Sequence, residues 1–327
     1  MNRNLLIIFI IIAVMAVALV LWAVNTTPPD ISKTPSDSST IASSSSFTPL
    51  ASTGATTAGT VPPATTIPTG SVPSIPAGDK VGTLYTRAEL DAMDNSRQSF
   101  WPNSTNGKRP RIAKTEQRAY RDYKVHFMGS DSNVAYLTFN CDDDKLTTDN
   151  YGEPISRTAL VLNILKYENV KATFFVTGKF CYKYPELVQR IIDEGHSLGN
   201  YGYSSVELPG LSTEEMTAEI MVLHNYVQEK FGYTMKYFRP YIGAYSQRTF
   251  ALATSLGYTT ILYSACYADR DPGTQIGSTA ALEKLVVQIH NGVIYRLHPI
   301  SMDTVNIMYD LIDALRGNEY RLSIFKP

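Results

Sequence analysis

Three regimes of hydrophobic patterning follow one another along the chain. From Leu5 to Val24 there are 20 residues without a charged side chain. As a helix, such a run covers about 30 Å, the hydrocarbon thickness of a bilayer. Trp22 sits at one end and Arg3 precedes the other, which predicts an N-terminus in the cytoplasm and the remainder outside. A cleaved signal peptide is the competing reading. Its apolar region is shorter, about 7 to 15 residues, and Leu21-Trp22-Ala23-Val24-Asn25 makes a poor cleavage site. The pattern therefore predicts an uncleaved anchor over residues 1–24.

Periodicity then vanishes. Between Asn25 and Lys80 lie eleven Ser, twelve Thr and nine Pro, with Phe47 the one aromatic. Such a stretch buries too little apolar surface to offset its ordering entropy, and its prolines favour extended conformations. Residues 25–80 are predicted to be a linker that holds a domain away from the membrane.

Residues 81–327 show regular alternation. Val134 to Phe139, Lys171 to Val176, Thr260 to Ala265 and Val293 to Leu297 read as strands. Helical faces fall between them: Leu187, Val188, Ile191 and Ile192; Met216, Ile220, Leu223, Val227 and Phe231; Phe250, Ala253 and Leu256; Leu282, Leu285, Val286 and Ile289; Val305, Met308, Ile312 and Leu315. Ser212 with Glu215 has capping-box spacing, and Gly195, Gly257, Gly292 and Gly317 are predicted to close four of the faces. Strand-then-helix alternation predicts an α/β domain with a parallel sheet or barrel, its chemistry on the loops at the C-terminal strand ends.

A net charge of −1 excludes a strongly basic nucleic-acid binder, and three cysteines exclude a disulfide scaffold. All 21 tyrosines follow residue 80, so aromatic chemistry is confined to the third region. The expected loops carry Asn140-Cys141-Asp142-Asp143-Asp144, Tyr201-Gly202-Tyr203-Ser204-Ser205, Arg239-Pro240-Tyr241, Asp269-Arg270 and Arg296-Leu297-His298. The Asp142–Asp144 run fits no EF-hand spacing and reads as a solvated loop. The cations from Lys108 to Lys124 read as a solvated helix face. Cys181 and Cys266 read either as a pair or as small buried residues. Of the five histidines, His224 and His290 fall on predicted helices.

From about residue 119 onward the chain resembles the NodB-homology polysaccharide deacetylases (carbohydrate esterase family 4), and within them the muramic δ-lactam-forming peptidoglycan deacetylases. The resemblance is carried by Tyr136-Leu-Thr-Phe139, Ala172-Thr-Phe-Phe-Val-Thr-Gly178, Glu194-Gly-His-Ser-Leu-Gly-Asn200, Tyr237-Phe-Arg-Pro-Tyr-Ile-Gly243 and Leu297-His298. It implies a distorted (β/α) barrel and zinc-assisted hydrolysis of an N-acetyl amide. It also implies an Asp base, a second Asp and two His as metal ligands, an Arg beside the base, and an acid His oriented by an Asp.

On that alignment Asn140 stands in the base position, and an amide takes up no proton near neutral pH. The metal positions fall on Cys141, Tyr201 and Ser205, of which one thiol is a competent ligand. Arg239, Asp269 and His298 match the retained acid side. Tyr201, Tyr203, Pro240 and Tyr241 are expected to line the substrate groove. The resemblance therefore implies a catalytically degenerate, membrane-anchored wall protein that binds peptidoglycan or a protein partner and needs no cofactor. Two alternatives stay open: an active N-deacetylase with zinc or another divalent metal in an altered site, and an envelope scaffold without glycan affinity.

Overall fold

The computed structural model describes residues 74–102, 106–149 and 151–326. The predicted anchor, and the predicted linker as far as residue 73, lie outside the described residues. Among the described residues no helix is long and apolar enough to cross a membrane.

The core is a nine-stranded sheet. Its strands are β1 (Val125–His126), β2 (Val134–Cys141), β3 (Thr173–Val176), β4 (Ser197–Asn200), β5 (Tyr237–Phe238), β6 (Thr259–Ile261), β7 (Ala265–Cys266), β8 (Val293–Leu297) and β9 (Arg321–Leu322). They are ordered β7-β8-β2-β3-β4-β5-β6-β1, with β9 also on β2. Every pairing is parallel. Burial on both faces accounts for the near-continuous apolar runs of β2, β3 and β8.

The sheet is curled. β6 and β7 lie towards opposite ends of the order, yet Leu262, Tyr263 and Ser264 alone separate them. Three residues span at most about 15 Å, so the two ends must approach each other. The seam is hydrogen-bonded: Leu262 N–H donates to His126 O (2.8 Å) and Ser264 N–H to Ile294 O (2.9 Å). The Ser264 hydroxyl accepts from Ile294 N–H and meets His290 Nε2, both at 3.0 Å. Gly129 and Gly292 complete this seam at close backbone approach, with Gly129 N–H on Gly292 O at 2.8 Å.

Outside the sheet run α1 (Arg157–Tyr167), α2 (Gly178–Lys183), α3 (Pro185–Asp193), α4 (Thr213–Phe231), α5 (Gln247–Ser255), α6 (Ser278–Val286) and α7 (Met302–Gly317). The capping box of Ser212 and Glu215 opens α4 as its spacing requires. Two boundaries differ from the pattern. α6 ends at Val286, so Ile289 and His290 sit in the turn before β8, where the His290 ring is tied to the seam. α7 runs through Gly317 and is capped by Asn318, with Glu319 taking the left-handed conformation (φ 62°). The expected strand from Thr260 to Ala265 is broken in two, because its middle crosses the seam.

The segment before the sheet is docked on the barrel. Ser255 Oγ accepts from Leu84 and Tyr85 N–H, and Gln98 forms a bridge with Tyr245. Phe100 then enters an aromatic cluster, its ring 5.0 Å from Phe127 and 5.3 Å from Tyr263. This anchoring sets Trp101 beside the C-terminal ends of the strands.

Candidate functional site

Asn140 is the penultimate residue of β2 and is 3% exposed. Its amide oxygen accepts from Arg239 Nη1 at 2.9 Å. Its amide nitrogen donates to the Tyr201 hydroxyl at 2.9 Å and approaches His298 Nε2 at 3.5 Å. Residues from three other strand ends thus converge on one side chain.

Arg239 follows β5 and is wholly buried. Its other donors go to Ile261 O and Leu262 O, each at 2.8 Å, and its guanidinium lies 4.1 Å from the Phe175 ring centroid. All three hydrogen-bond acceptors are neutral. Burial lowers its pKa to about 9.

Tyr201 follows β4. Its hydroxyl oxygen accepts from Asn140 Nδ2 and, at 3.1 Å, from Ile242 N–H. Burial pushes its phenol well up. Ile242 holds φ 49°, a strained conformation for a β-branched residue, and this turn aims its N–H at Tyr201.

The other half of the site is a carboxylate–imidazole pair. His298 Nδ1 meets Asp269 Oδ1 at 2.8 Å, and His298 N–H donates to Asp269 Oδ2 at 2.7 Å. Thr304 Oγ1 donates to the same carboxylate at 3.2 Å. The pairing assigns the imidazole proton to Nδ1 and leaves Nε2 as the acceptor facing Asn140.

These groups border a cavity of about 330 Å³ lined by Asn140, Tyr201 and His298 together with Trp101, Ile242, Ala268, Arg270, Asp271, Thr274 and Arg296. Tyr203, Pro240 and Tyr241, expected in the groove, are not among its lining residues. The Tyr203 ring lies against Gly178, where a Cβ would stand 2.5 Å from it. Pro240 is buried. The Tyr241 hydroxyl donates to Asp142 at 3.3 Å, under the Arg270 guanidinium. Trp101 was missed from sequence, and Arg296 was named only as part of the stretch before His298, without a role. The signal for Arg296 was present, since two residues before His298 on a strand is the same face.

The aspartate run is not a solvated loop. Asp142 pairs with Arg270 at 3.0 Å. Asp143 accepts from Lys179 (2.7 Å), Lys183 (3.0 Å) and Tyr184 (2.7 Å). Burial works against its ionisation, but these donors hold its carboxyl far below the usual range. Asp144 is buried and accepts from Thr158 N–H (3.0 Å) and Oγ1 (2.7 Å) at the start of α1. Each carboxylate is spent on a different neighbour, so no two converge on an ion.

The donors at the implied metal positions do not fit zinc. Cys141 is fully buried, and burial, with Asp144 and Asp142 adding to it, drives its thiol away from the thiolate that would bind. Tyr201 uses its oxygen as a hydrogen-bond acceptor twice. Ser205 supplies a neutral hydroxyl, on a residue with φ 60°. Among the described residues no group of three His, Cys, Asp or Glu side chains is placed to hold an ion. Cys181 and Cys266 are both free and buried. His196 is structural, its Nδ1 accepting from Ala172 N–H at 3.2 Å.

A family model described as polysaccharide deacetylase matches residues 129–261. The peptidoglycan-N-acetylmuramic acid deacetylase PdaA of Bacillus subtilis is 29% identical over 236 residues, covering 71% of this chain and 86% of that protein. The solved structure of that carbohydrate esterase superposes with a TM-score of 0.63 at 28% identity, over 70% of this chain and 95% of the other. A structure described as a CE4 family pseudoenzyme from Bacillus anthracis shares the fold, with a TM-score of 0.54 at 21% identity over 61% of this chain and 66% of that one.

Proposed function

The chain belongs to the polysaccharide deacetylase family, and we propose that it is a peptidoglycan-binding member whose site does not deacetylate. One observation carries this reading. Asn140, in the position of the base, is locked between Arg239 and the Tyr201 hydroxyl. An amide cannot take a proton from water, and the phenol occupies the Ile242 N–H that faces it. Deacetylation needs a nucleophile, and neither a base nor a fitting metal set is at hand to make one. What remains is a cavity with an exposed indole, polar groups and a fixed imidazole, which suits binding an acetamido sugar.

The relative PdaA is described as a peptidoglycan-N-acetylmuramic acid deacetylase, which supports a wall glycan as the ligand. The run from Leu5 to Val24 supports a single-pass anchor with the barrel outside the cell, carried on the Ser/Thr/Pro-rich stretch. The intact Asp269–His298 pair favours a second reading, a hydrolase with an altered site. In that case His298 would protonate the leaving amine, and Arg239 would position the group at 140.

Metal content and turnover of the purified full-length protein decide between them. We expect retention on purified peptidoglycan, no acetate release from N-acetylated glycan, and no stoichiometric zinc. Zinc that is lost on mutating Cys141, together with acetate release, overturns the binding-only reading. The combined variant Asn140→Asp, Cys141→Asp, Tyr201→His and Ser205→His should bind zinc. A folded but zinc-free variant would show that the motifs are assigned to the wrong residues.

A further inference from the structure

The N-terminal ends of the strands form a face that the site does not use. Lys124 immediately precedes β1 and Lys236 precedes β5, and both are exposed. β6 lies between them: Thr260 N–H donates to Lys124 O (2.7 Å) and Thr259 N–H to Lys236 O (3.0 Å). Arg321 opens β9 at the same end, beside Val134. Phe325 stacks on Tyr136 at 4.1 Å and brings the exposed Lys326 towards it. Asn140, Arg239 and His298 lie at the opposite ends of the strands.

The stretch that leads into β1 adds to the charge. Between Lys108 and Lys124 stand seven cations against Glu116 and Asp122, in a chain whose net charge is −1. Gln117 fixes the helix Arg111–Ala119 beside β1, donating to Val125 O (2.7 Å) and accepting from Phe127 N–H (2.8 Å). Glu116 turns inward and accepts from the buried Tyr245 hydroxyl at 2.7 Å. Arg109 pairs with Asp131 at 3.1 Å and Arg121 with Asp122 at 3.9 Å. Among the described residues Lys108, Arg111, Lys114, Arg118 and Lys124 have no acidic partner, and all five are exposed. Like charges fixed on one surface repel each other, and an extended anionic surface relieves that repulsion.

The chain enters the barrel beside this face. The hairpin of Lys80–Val81 and Tyr85–Thr86 is held by Ser255, whose hydroxyl donates to Val81 O and whose carbonyl accepts from Thr83 N–H at 2.8 Å. The adjacent Thr254 hydroxyl accepts from Lys124 N–H at 3.2 Å. Two consecutive residues at the end of α5 thus join the entering chain to the cations. As a coil, residues 25–73 would span about 40 Å. A bilayer that carries the run from Leu5 to Val24 is then the nearest extended surface, and tethering raises its effective concentration so that a few charges suffice.

Resting on the anchored reading, we propose that this face docks on the anionic phospholipid headgroups of the bilayer that carries the chain. Lys114, Arg118, Lys124 and Lys236 meet the phosphates, and the cavity at the far ends of the strands is turned towards the wall.

The test reconstitutes the full-length protein in lipid nanodiscs of phosphatidylcholine alone, or with about one third phosphatidylglycerol. A water-soluble amine-acylating reagent and mass spectrometry read the reactivity of each lysine. We expect Lys114, Lys124 and Lys236 to be acylated about fivefold more slowly in the anionic discs, and Lys145, at the cavity end, to be unchanged. Salt at about 0.5 M should remove the protection. The combined variant Lys114→Glu, Arg118→Glu and Lys124→Glu should remove it at Lys236, with thermal melting to check the fold. Equal acylation in the two discs, or protection that survives the charge reversal, overturns the docking face and leaves the anchor standing. Protection by soluble poly(glycerol phosphate) in neutral discs, with none from anionic discs, assigns the face to a wall polymer and overturns the lipid. A chain that stays with anionic discs alone upholds the docking and overturns the anchor. A chain that stays with neither disc overturns both.

Discussion

Arg239 donates to the amide oxygen of Asn140 across 2.9 Å, and no carboxylate accepts from this buried guanidinium. A buried charge without a counter-charge carries a desolvation cost that neutral acceptors offset only in part. Asn140→Asp returns the counter-charge with almost no change of shape. The Tyr201 hydroxyl can rotate to donate to the new carboxylate. We expect a gain of about 2 kcal/mol, measured by urea unfolding at neutral pH. A loss of stability would mean that the neutral cradle of Arg239 is already sufficient.

Tyr201 stands in the way of two donors. Tyr201→Phe keeps the ring but leaves Asn140 Nδ2 and Ile242 N–H without their acceptor. Unmet buried donors cost about 1–3 kcal/mol each. We expect unfolding at lower urea, by about 2 kcal/mol in total, and near-neutral behaviour for Tyr241→Phe, whose hydroxyl is only half-buried. Equal effects of the two variants would show that the Tyr201 hydroxyl has no special structural role.

The seam of the barrel makes a steric prediction. Gly292 has φ 70°, and a Cβ there collides with Ser130 O and comes within 2.7 Å of Gly129 O. Neither backbone can yield without opening the Gly129–Gly292 hydrogen bond. Gly292→Ala should therefore cost at least about 3 kcal/mol. Gly210→Ala, at φ 94° but with open space around it, should cost less. Thermal melting of the pair separates the collision from the backbone strain that both share.

Two buried histidines set an acid limit. Burial lowers His196 and His290 to about 4. Between that value and the ordinary 6.5, the unfolded chain binds protons that the folded chain does not, so stability rises with pH across this window. The contribution is complete above 6.5 and is lost as pH falls through 4, up to about 3 kcal/mol for each ring. The melting temperature should drop between pH 6.5 and 4, and the drop should shrink in His290→Asn. An unchanged acid profile in that variant would locate the sensitivity elsewhere.

Much of this arrangement was legible in the sequence, and the misses have physical causes. The β2, β3 and β8 runs and the amphipathic faces of α3 and α4 were evident, because parallel strands are apolar on both faces and surface helices on one. α1 escaped, because six of its eleven residues are buried around its circumference and it has little amphipathic period. Asn140, Arg239 and His298 were singled out by the family motifs they match, and the structure brings their side chains together at the strand ends. Trp101 was not, because it belongs to an irregular segment whose position depends on contacts distant in sequence, Gln98 with Tyr245 and Phe100 with Tyr263. The aspartate run was misread because charge density suggests water, whereas its Lys, Arg, Tyr and Thr partners come from elements that only the fold brings near.

The Tyr201 hydroxyl has a consequence for how this site can change. It satisfies two groups that a smaller or differently placed side chain would strand, so Tyr201→His made alone should lower stability before any ligand rewards it. The same holds for an isolated Ser205→His, which adds bulk to a left-handed residue. Routes from this chain to a metal-holding one therefore climb before they descend. At Tyr201 and Ser205 the site is less a ruin than a local minimum, one that single steps at these two positions leave only uphill even though Asn140→Asp leads down.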